Sequence, residues 1–129
     1  MCGIVGWLSA EGFATEPAES LVGAMARQLR HRGPDDQGSW LDAPAGVALG
    51  HRRLSILDLS PSGHQPMVSN SGRYVIVLNG EIYNHLEIRS QLAGHVFRGR
   101  SDTETLIAAV ERWGIEGAVS RCVGMFAFA

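Results

Sequence analysis

Residues 74–80 read Tyr74-Val75-Ile76-Val77-Leu78-Asn79-Gly80, and this stretch decides the fold class. Its apolar, largely β-branched start predicts a strand buried on both faces. Asn-Gly is a common hairpin turn, but residues 81–85 show no alternating return strand and lead into a helix at about 84–92. Strands on both sides of a block of helices predict an α+β fold with two sheets and helices packed against them.

Towards the C-terminus, the segment Ser101-Asp102-Thr103-Glu104 has the pattern of a capping box, in which Ser and Glu each bond a backbone N–H at a helix start. It predicts a helix that carries Leu106, Val110 and Trp113 on one face. The apolar run 123–129 predicts a final strand.

Towards the N-terminus, the first predicted strand is Gly3–Leu8. Thr15 is predicted to cap a helix that Gly33-Pro34 stops. A pair of strands broken at Ala45-Gly46 follows, and Leu54–Leu57 is predicted to be a further strand.

Composition excludes several function classes. The chain has 129 residues, a formal net charge of -2, two cysteines and five scattered histidines. That length predicts one domain, and the charge gives no nucleic-acid footprint. No apolar run is long enough for a bilayer, the start lacks the features of a signal peptide, and no metal-ligand or disulfide pattern is present. These observations predict a reduced, cytoplasmic, metal-free domain without membrane or nucleic-acid partners.

Cys2 is the first candidate for chemistry. If an aminopeptidase removes Met1, the thiol and the α-amine belong to the same residue, and an amine with a pKa of about 7.7–8.0 can serve as the base for the thiol. The alternative is that Cys2 is a small buried hydrophobe.

Three further positions could complete a site. The Asn79 amide and the Gly80 N–H are the kind of donors that form an oxyanion hole. Arg53 could hold a carboxylate and Asp102 an ammonium, which together would recognise a free amino acid. The alternatives are a surface arginine, as Arg52 is predicted to be, and an acid in the first turn of a helix.

Taken together, these features resemble one family. The sequence resembles the N-terminal glutaminase domain of class II glutamine amidotransferases, and within them the glutamine-hydrolysing asparagine synthetases. The resemblance rests on Met1-Cys2-Gly3-Ile4, Arg30-His31-Arg32-Gly33-Pro34-Asp35, Arg53-Leu54-Ser55-Ile56, Asn79-Gly80-Glu81-Ile82-Tyr83-Asn84, Ser101-Asp102-Thr103-Glu104 and Gly124-Met125-Phe126-Ala127-Phe128-Ala129.

The resemblance implies a fold and a set of roles. The fold is the four-layer αββα N-terminal-nucleophile (Ntn) hydrolase sandwich. Cys2 would be the nucleophile with its α-amine as base, and Asn79 and Gly80 would form the oxyanion hole. The glutamine-binding residues would be Arg53, Leu54, Ser55, Ile56, Leu57, Asn79, Gly80, Glu81 and Asp102. We expect Arg32 and Asp35 to support the site from outside, and Cys122 to lie in the core.

The resemblance also implies partners. Glutamine would be hydrolysed to glutamate and ammonia, and the ammonia would pass through a tunnel to a C-terminal synthetase domain that uses ATP and Mg²⁺ to amidate aspartate. That domain's phosphate loop is absent from these residues, so residues 1–129 are predicted to be a glutaminase domain incomplete at its C-terminal end, with no cofactor of its own. A homodimer is left open. The alternatives are amidation of another carboxylate such as a surface-polysaccharide sugar, an amidase for other amides, and a non-catalytic relic of the domain.

Overall fold

The computed structural model describes residues 2–129, which form two compact units. The first unit contains the residues up to Ser55 together with His64–Pro66. The second unit contains Ile56–Gly63 and Met67–Ala129. The prediction for Met1 lies outside the described residues.

The first unit is a three-stranded antiparallel sheet covered by one helix. Its elements are β1 (Gly3–Leu8), α1 (Thr15–Gln28), β2 (Asp36–Asp42) and β3 (Val47–Arg53), with strand order β1-β3-β2. The helix lies against the sheet because its small and β-branched buried residues permit close approach. Val22 is fully buried, and a Cβ added at Gly50 of β3 would come within 2.9 Å of it.

The register of this sheet aligns the ends of three chain segments. Gly3 of β1 pairs with Arg52, and Asp36 of β2 pairs with Arg53. Continuing the β1 register by one residue places Cys2 opposite Arg53. Cys2 therefore lies beside the end of β3.

The second unit contains two small antiparallel sheets and two helices. After a 3-10 turn at Pro61–Gly63, its elements are β4 (Met67–Val68), β5 (Val75–Ile76), β6 (Leu78–Ile82), α2 (His85–Ser90), α3 (Asp102–Val119) and β7 (Gly124–Phe128). β4 pairs with β5, and β6 pairs with β7. One cluster of buried side chains forms the core, and its largest members include Leu78, Ile82, Ile88, Leu106 and Ile107.

These observations confirm the α+β class with antiparallel sheets, and the predicted elements at 3–8, 84–92 and 123–129. Four local predictions are wrong. Thr15 does not cap α1, because Ala14 occupies the extended N-cap position and Thr15 is already helical. The helix α1 is predicted to continue to Gly33-Pro34, but it ends at Gln28, and tightened turns lead from there to Gly33.

The other two differences concern strands. Leu54–Leu57 is not a strand, because β3 ends at Arg53, and its antiparallel neighbours β1 and β2 begin opposite Arg52 and Arg53. The predicted strand at 74–78 is two strands separated at Val77, and Asn79 and Gly80 lie inside β6 rather than after a strand.

Candidate active site

In the first unit, the predicted nucleophile is held by the backbone just after β3. The Sγ of Cys2 accepts a hydrogen bond from the Leu54 N–H at 3.3 Å and lies 3.8 Å from the Leu54 carbonyl oxygen, to which the thiol can donate. Cys2 is half-buried. The sulfur is therefore fixed at the edge of the unit, with a backbone donor directed at it.

The two predicted supporting residues each contact the residues they are expected to support. Arg32 donates its Nε–H to the carbonyl oxygen of Cys2 at 3.0 Å. Asp35 accepts the Ser55 N–H at 2.8 Å, and its own N–H donates to the Arg53 carbonyl at 3.0 Å. The segment from Arg32 to Asp35 thus bonds to Cys2, just before β1, and to the chain at the end of β3.

Arg53 is the last residue of β3 and is 7% exposed, so it is not an ordinary surface arginine. Its cation also acts on Asp36. Burial alone would raise the pKa of the Asp36 carboxyl, but the His64 hydrogen bond, the His64 charge, the Gln37 N–H and the Arg53 charge outweigh it and hold that pKa below its ordinary value.

The prediction that Arg52 lies on the surface is wrong. Arg52 is 8% exposed and donates to the Gly33 carbonyl at 2.7 Å, the Gln37 Oε1 at 2.9 Å and the Pro34 carbonyl at 3.3 Å. Alternation along β3 could have indicated that two consecutive arginines point to opposite faces.

In the second unit, the Asn-Gly pair is part of a ladder. Gly80 opposes Phe126 of β7 and has φ +143°, a conformation that favours glycine. A Cβ there would collide with the Met125 carbonyl and the Phe126 Cα. Glycine is therefore required at this position by the local geometry, apart from any catalytic role.

The same ladder directs the Gly80 N–H away from β7. Val77 and Ala129 exchange both backbone hydrogen bonds, so alternate residues of β6, including Gly80 and Ile82, turn their N–H groups to the other edge. At that edge the Ile82 N–H donates to Oδ2 of Asp102 at 2.9 Å. The predicted oxyanion donor and the predicted ammonium ligand thus lie along one strand edge.

Asn79 carries a further sign of a site. Its Oδ1 is buried and has no hydrogen-bond partner among residues 2–129. An unsatisfied buried oxygen of this kind costs about 1–3 kcal/mol and is rare unless it has a functional reason. Glu81, next along β6, is exposed.

The predicted residues therefore form two groups. The first unit brings together Cys2, Arg32, Asp35, Arg53, Leu54 and Ser55, and the second holds Ile56, Leu57, Asn79, Gly80, Glu81 and Asp102. Ile56 and Leu57 are exposed at 68% and 41%. Cys122 is half-buried against the core, and burial raises the pKa of its thiol.

The described residues also bear on two other classes of site. Across residues 2–129, no group of three or more His, Cys, Asp and Glu side chains is arranged to hold a metal ion. Within the same residues, no helix combines the length and the apolar character that crossing a bilayer requires.

Comparison with known proteins gives a consistent result. The family described as glutamine amidotransferase domain matches residues 1–129. The chain is 42% identical to asparagine synthetase [glutamine-hydrolyzing] 1 of Bacillus subtilis over 131 residues, which cover 99% of this chain and 20% of the relative. It is 38% identical to asparagine synthetase [glutamine-hydrolyzing] 1 of Lotus japonicus over 128 residues, covering 99% of this chain and 21% of that relative.

A relative with a different name has similar identity. The chain is 39% identical to amidase chry2 of Gibberella zeae over 137 residues, which cover 99% of this chain and 20% of that protein. The chain thus spans about a fifth of the length of the curated relatives it matches.

Proposed function

The chain belongs to the glutamine amidotransferase domain family, and from this premise we propose that it hydrolyses the side-chain amide of L-glutamine with Cys2 as the nucleophile. The observation that carries the proposal is the position of the Cys2 sulfur, which receives the Leu54 N–H at 3.3 Å beside the buried Arg53. A backbone donor directed at sulfur suits a group that develops negative charge.

The chemistry follows from an N-terminal cysteine. After removal of Met1, the α-amine of Cys2 takes the thiol proton as the sulfur attacks the amide carbon, and it gives the proton to the departing nitrogen. Ammonia leaves and a γ-glutamyl thioester remains on Cys2. Water then cleaves the thioester, which releases glutamate and restores the thiol.

The second unit supplies the remaining roles in this proposal. The Gly80 N–H and the Asn79 amide stabilise the oxyanion, and the unpartnered, buried Asn79 Oδ1 supports a site at that residue. Asp102 binds the substrate ammonium. Alternate N–H groups of a strand are about 7 Å apart, a separation comparable to the length of an extended glutamine, which supports placing Gly80 and Asp102 at its two ends.

Arg53 completes recognition of the substrate by holding its α-carboxylate. Arginine presents a planar fork that matches a carboxylate, and the backbone of Arg53 at the end of β3 lies opposite Cys2 when the β1 register is continued by one residue. Backbone groups of 54–57 and of Glu81 line the rest of the glutamine pocket in this proposal.

The family membership also supports a wider proposal. The fold proposed for this chain is the four-layer αββα sandwich of the Ntn hydrolase type. The ammonia feeds a synthetase domain of the same natural protein, which uses ATP and Mg²⁺ to convert aspartate to asparagine in the cytoplasm. In this proposal residues 1–129 themselves use no cofactor, and a homodimer is left open.

Two other functions are tested by the same assays. The first is hydrolysis of an amide other than free glutamine, which the name of amidase chry2 suggests. The second is amidation of a carboxylate other than aspartate. Simultaneous use of Arg53 and Asp102 favours free glutamine, because it is an amide that carries both an α-carboxylate and an α-ammonium.

The decisive experiment is glutamate release from L-glutamine by the protein at its full natural length. Cys2→Ala is expected to abolish release, and rapid acid quench of the native protein followed by mass spectrometry should find a glutamyl adduct on Cys2. Cys122→Ala is the matched control and should retain activity, because that thiol packs against the core and has a raised pKa.

The outcome that overturns the proposal is full activity in Cys2→Ala. Faster hydrolysis of amides that lack the α-ammonium or α-carboxylate would identify an amidase for another substrate. Determination of the N-terminal mass belongs to the same experiment, because retention of Met1 blocks the α-amine.

A further inference from the structure

Arg52 is a buried charged side chain to which the proposed reaction gives no role. Arg52 points to the face of β3 opposite to that of its neighbour Arg53, and its hydrogen-bond partners at Gly33, Gln37 and Pro34 are neutral oxygens. Two of these are the carbonyls of Gly33 and Pro34. A buried guanidinium that binds backbone carbonyls restrains the chain that carries them.

The restrained chain is the segment 32–35, which we call the 32–35 turn. Gly33 packs directly against β3, since a Cβ there would lie 2.5 Å from the carbonyl carbon of Arg52 and 2.6 Å from the nitrogen of Arg53. Arg52 thus binds the two middle residues of the turn, and the backbone of the turn packs against the last two residues of β3.

The residues on either side of Gly33 and Pro34, whose carbonyls Arg52 binds, contact the proposed active site. Arg32, before it, donates to the carbonyl oxygen of Cys2 at 3.0 Å. Asp35, after it, accepts the N–H of Ser55 at 2.8 Å. A change in the position of the Gly33 and Pro34 carbonyls would therefore move both contacts together.

We infer that Arg52 is a positioning residue for glutamine hydrolysis: its fork clamps the 32–35 turn so that Arg32 fixes the backbone of the nucleophile. The inference rests on the proposed function, because it acts through Cys2. It requires arginine itself, since a lysine ammonium lacks the planar fork that reaches three acceptors at once.

The main test is a double-mutant cycle in the protein at its full natural length. Arg52→Met and Arg32→Met are each expected to lower kcat for glutamate release by roughly 10- to 100-fold, because small displacements of a nucleophile have effects of this size. The double variant should be no slower than the slower single variant, since both changes break one chain of contacts. The glutamine KM should change less than kcat, because Arg53 points to the other face.

Two further variants complete the design. Arg52→Lys retains a cation in the buried position, and its kcat should also fall while its circular dichroism spectrum stays unchanged. Arg30→Met alters an exposed arginine two residues before Arg32 and should match the native enzyme.

Native kcat in folded Arg52→Lys, or multiplicative losses in the double variant, would overturn the inference. Both outcomes are distinct from failure of the proposed function, which would appear as retained activity in Cys2→Ala.

Discussion

The backbone N–H of Ile82 donates to Oδ2 of Asp102 at 2.9 Å, and this bond links β6 to the first residue of α3. Oδ1 of the same carboxylate accepts the Thr103 N–H. Asp102 is 7% exposed. It thus has a structural role at the helix start in addition to its proposed role as the ligand of the substrate ammonium, because each carboxylate oxygen can accept more than one hydrogen bond.

The two roles of Asp102 can be separated by substitution. Asp102→Asn retains an oxygen for Ile82, but it presents its NH₂ group to the Thr103 N–H and loses the charge. We therefore expect a folded protein with a lower melting temperature, whose glutamine KM rises by roughly 10- to 100-fold, the loss of one charged hydrogen bond. Steady-state glutaminase kinetics at several glutamine concentrations measure the KM, and an unchanged KM in the folded variant would remove Asp102 from the substrate site.

Substitution of Asn79 should lower kcat without lowering the melting temperature. Asn79→Ala removes a proposed oxyanion donor, and kcat is expected to fall by roughly 10²–10³. Because the substitution also removes a buried oxygen without a partner, the melting temperature should stay the same or rise. A large loss of stability would show that the Asn79 side chain is structural.

Gly80 is expected to be intolerant of any side chain. Gly80→Ala combines a positive φ with a collision against β7, so the free energy of unfolding should fall by more than about 3 kcal/mol. Gly72→Ala is the matched control: Gly72 has φ +73° and an added Cβ would have no atom within 4 Å, so only about 1 kcal/mol is expected. Urea denaturation of both variants gives the comparison, and equal losses would contradict the collision.

Local patterns predicted the elements whose causes are local. The short apolar run 3–8 and the capping serine at 101 each depend on a few neighbouring residues, and β1 and the start of α3 lie where expected. Ser101 accepts the Glu104 N–H at 3.2 Å, as a capping box requires. The Glu104 carboxylate does not complete the box, because it binds the N–H groups of Arg98 and Gly99 instead.

Non-local pairing explains the predictions that are wrong. Leu54–Leu57 has strand-like composition, but β1 and β2 begin opposite Arg52 and Arg53, so neither strand extends alongside residues 54–57. Gly80 appears as a strand terminator by propensity, yet pairing with the distant Phe126 keeps it inside β6. The site motifs are recognisable by their order along the chain, whereas the buried position of Arg52 depends on the turn that it binds.

The pair of Asp36 and His64 predicts a pH-dependent stability. The two side chains are 2.7 Å apart, and the pKa of the Asp36 carboxyl is lowered below 3.8. A carboxyl whose pKa is lowered in the folded protein stabilises the fold fully at pH values above its ordinary pKa. This contribution is lost as the pH falls through the lowered pKa. Asp36→Asn should therefore lower the melting temperature at about pH 6 and have little effect at about pH 2.

The control for this pH dependence is the exposed Glu19 of α1, where Glu19→Gln should change the melting temperature little at either pH. Equal destabilisation by Asp36→Asn at both pH values would show that shape rather than charge is responsible.

Glu104 should be the most sensitive acidic residue for stability in the second unit. Its side chain is 2% exposed, its two oxygens accept the N–H groups of Arg98 at 2.6 Å and Gly99 at 2.9 Å, and the Arg89 guanidinium lies 3.7 Å away. Glu104→Gln presents an NH₂ group to one of these donors and leaves the arginine charge without this counterion. We expect a loss of about 2–4 kcal/mol in the free energy of unfolding. Glu116→Gln, at an exposed position after the kink that Gly114 makes in α3, should cost less than about 0.5 kcal/mol. Urea unfolding monitored by circular dichroism compares the two, and a loss in Glu104→Gln as small as that in Glu116→Gln would show that the buried carboxylate does not hold the 98–99 backbone in place.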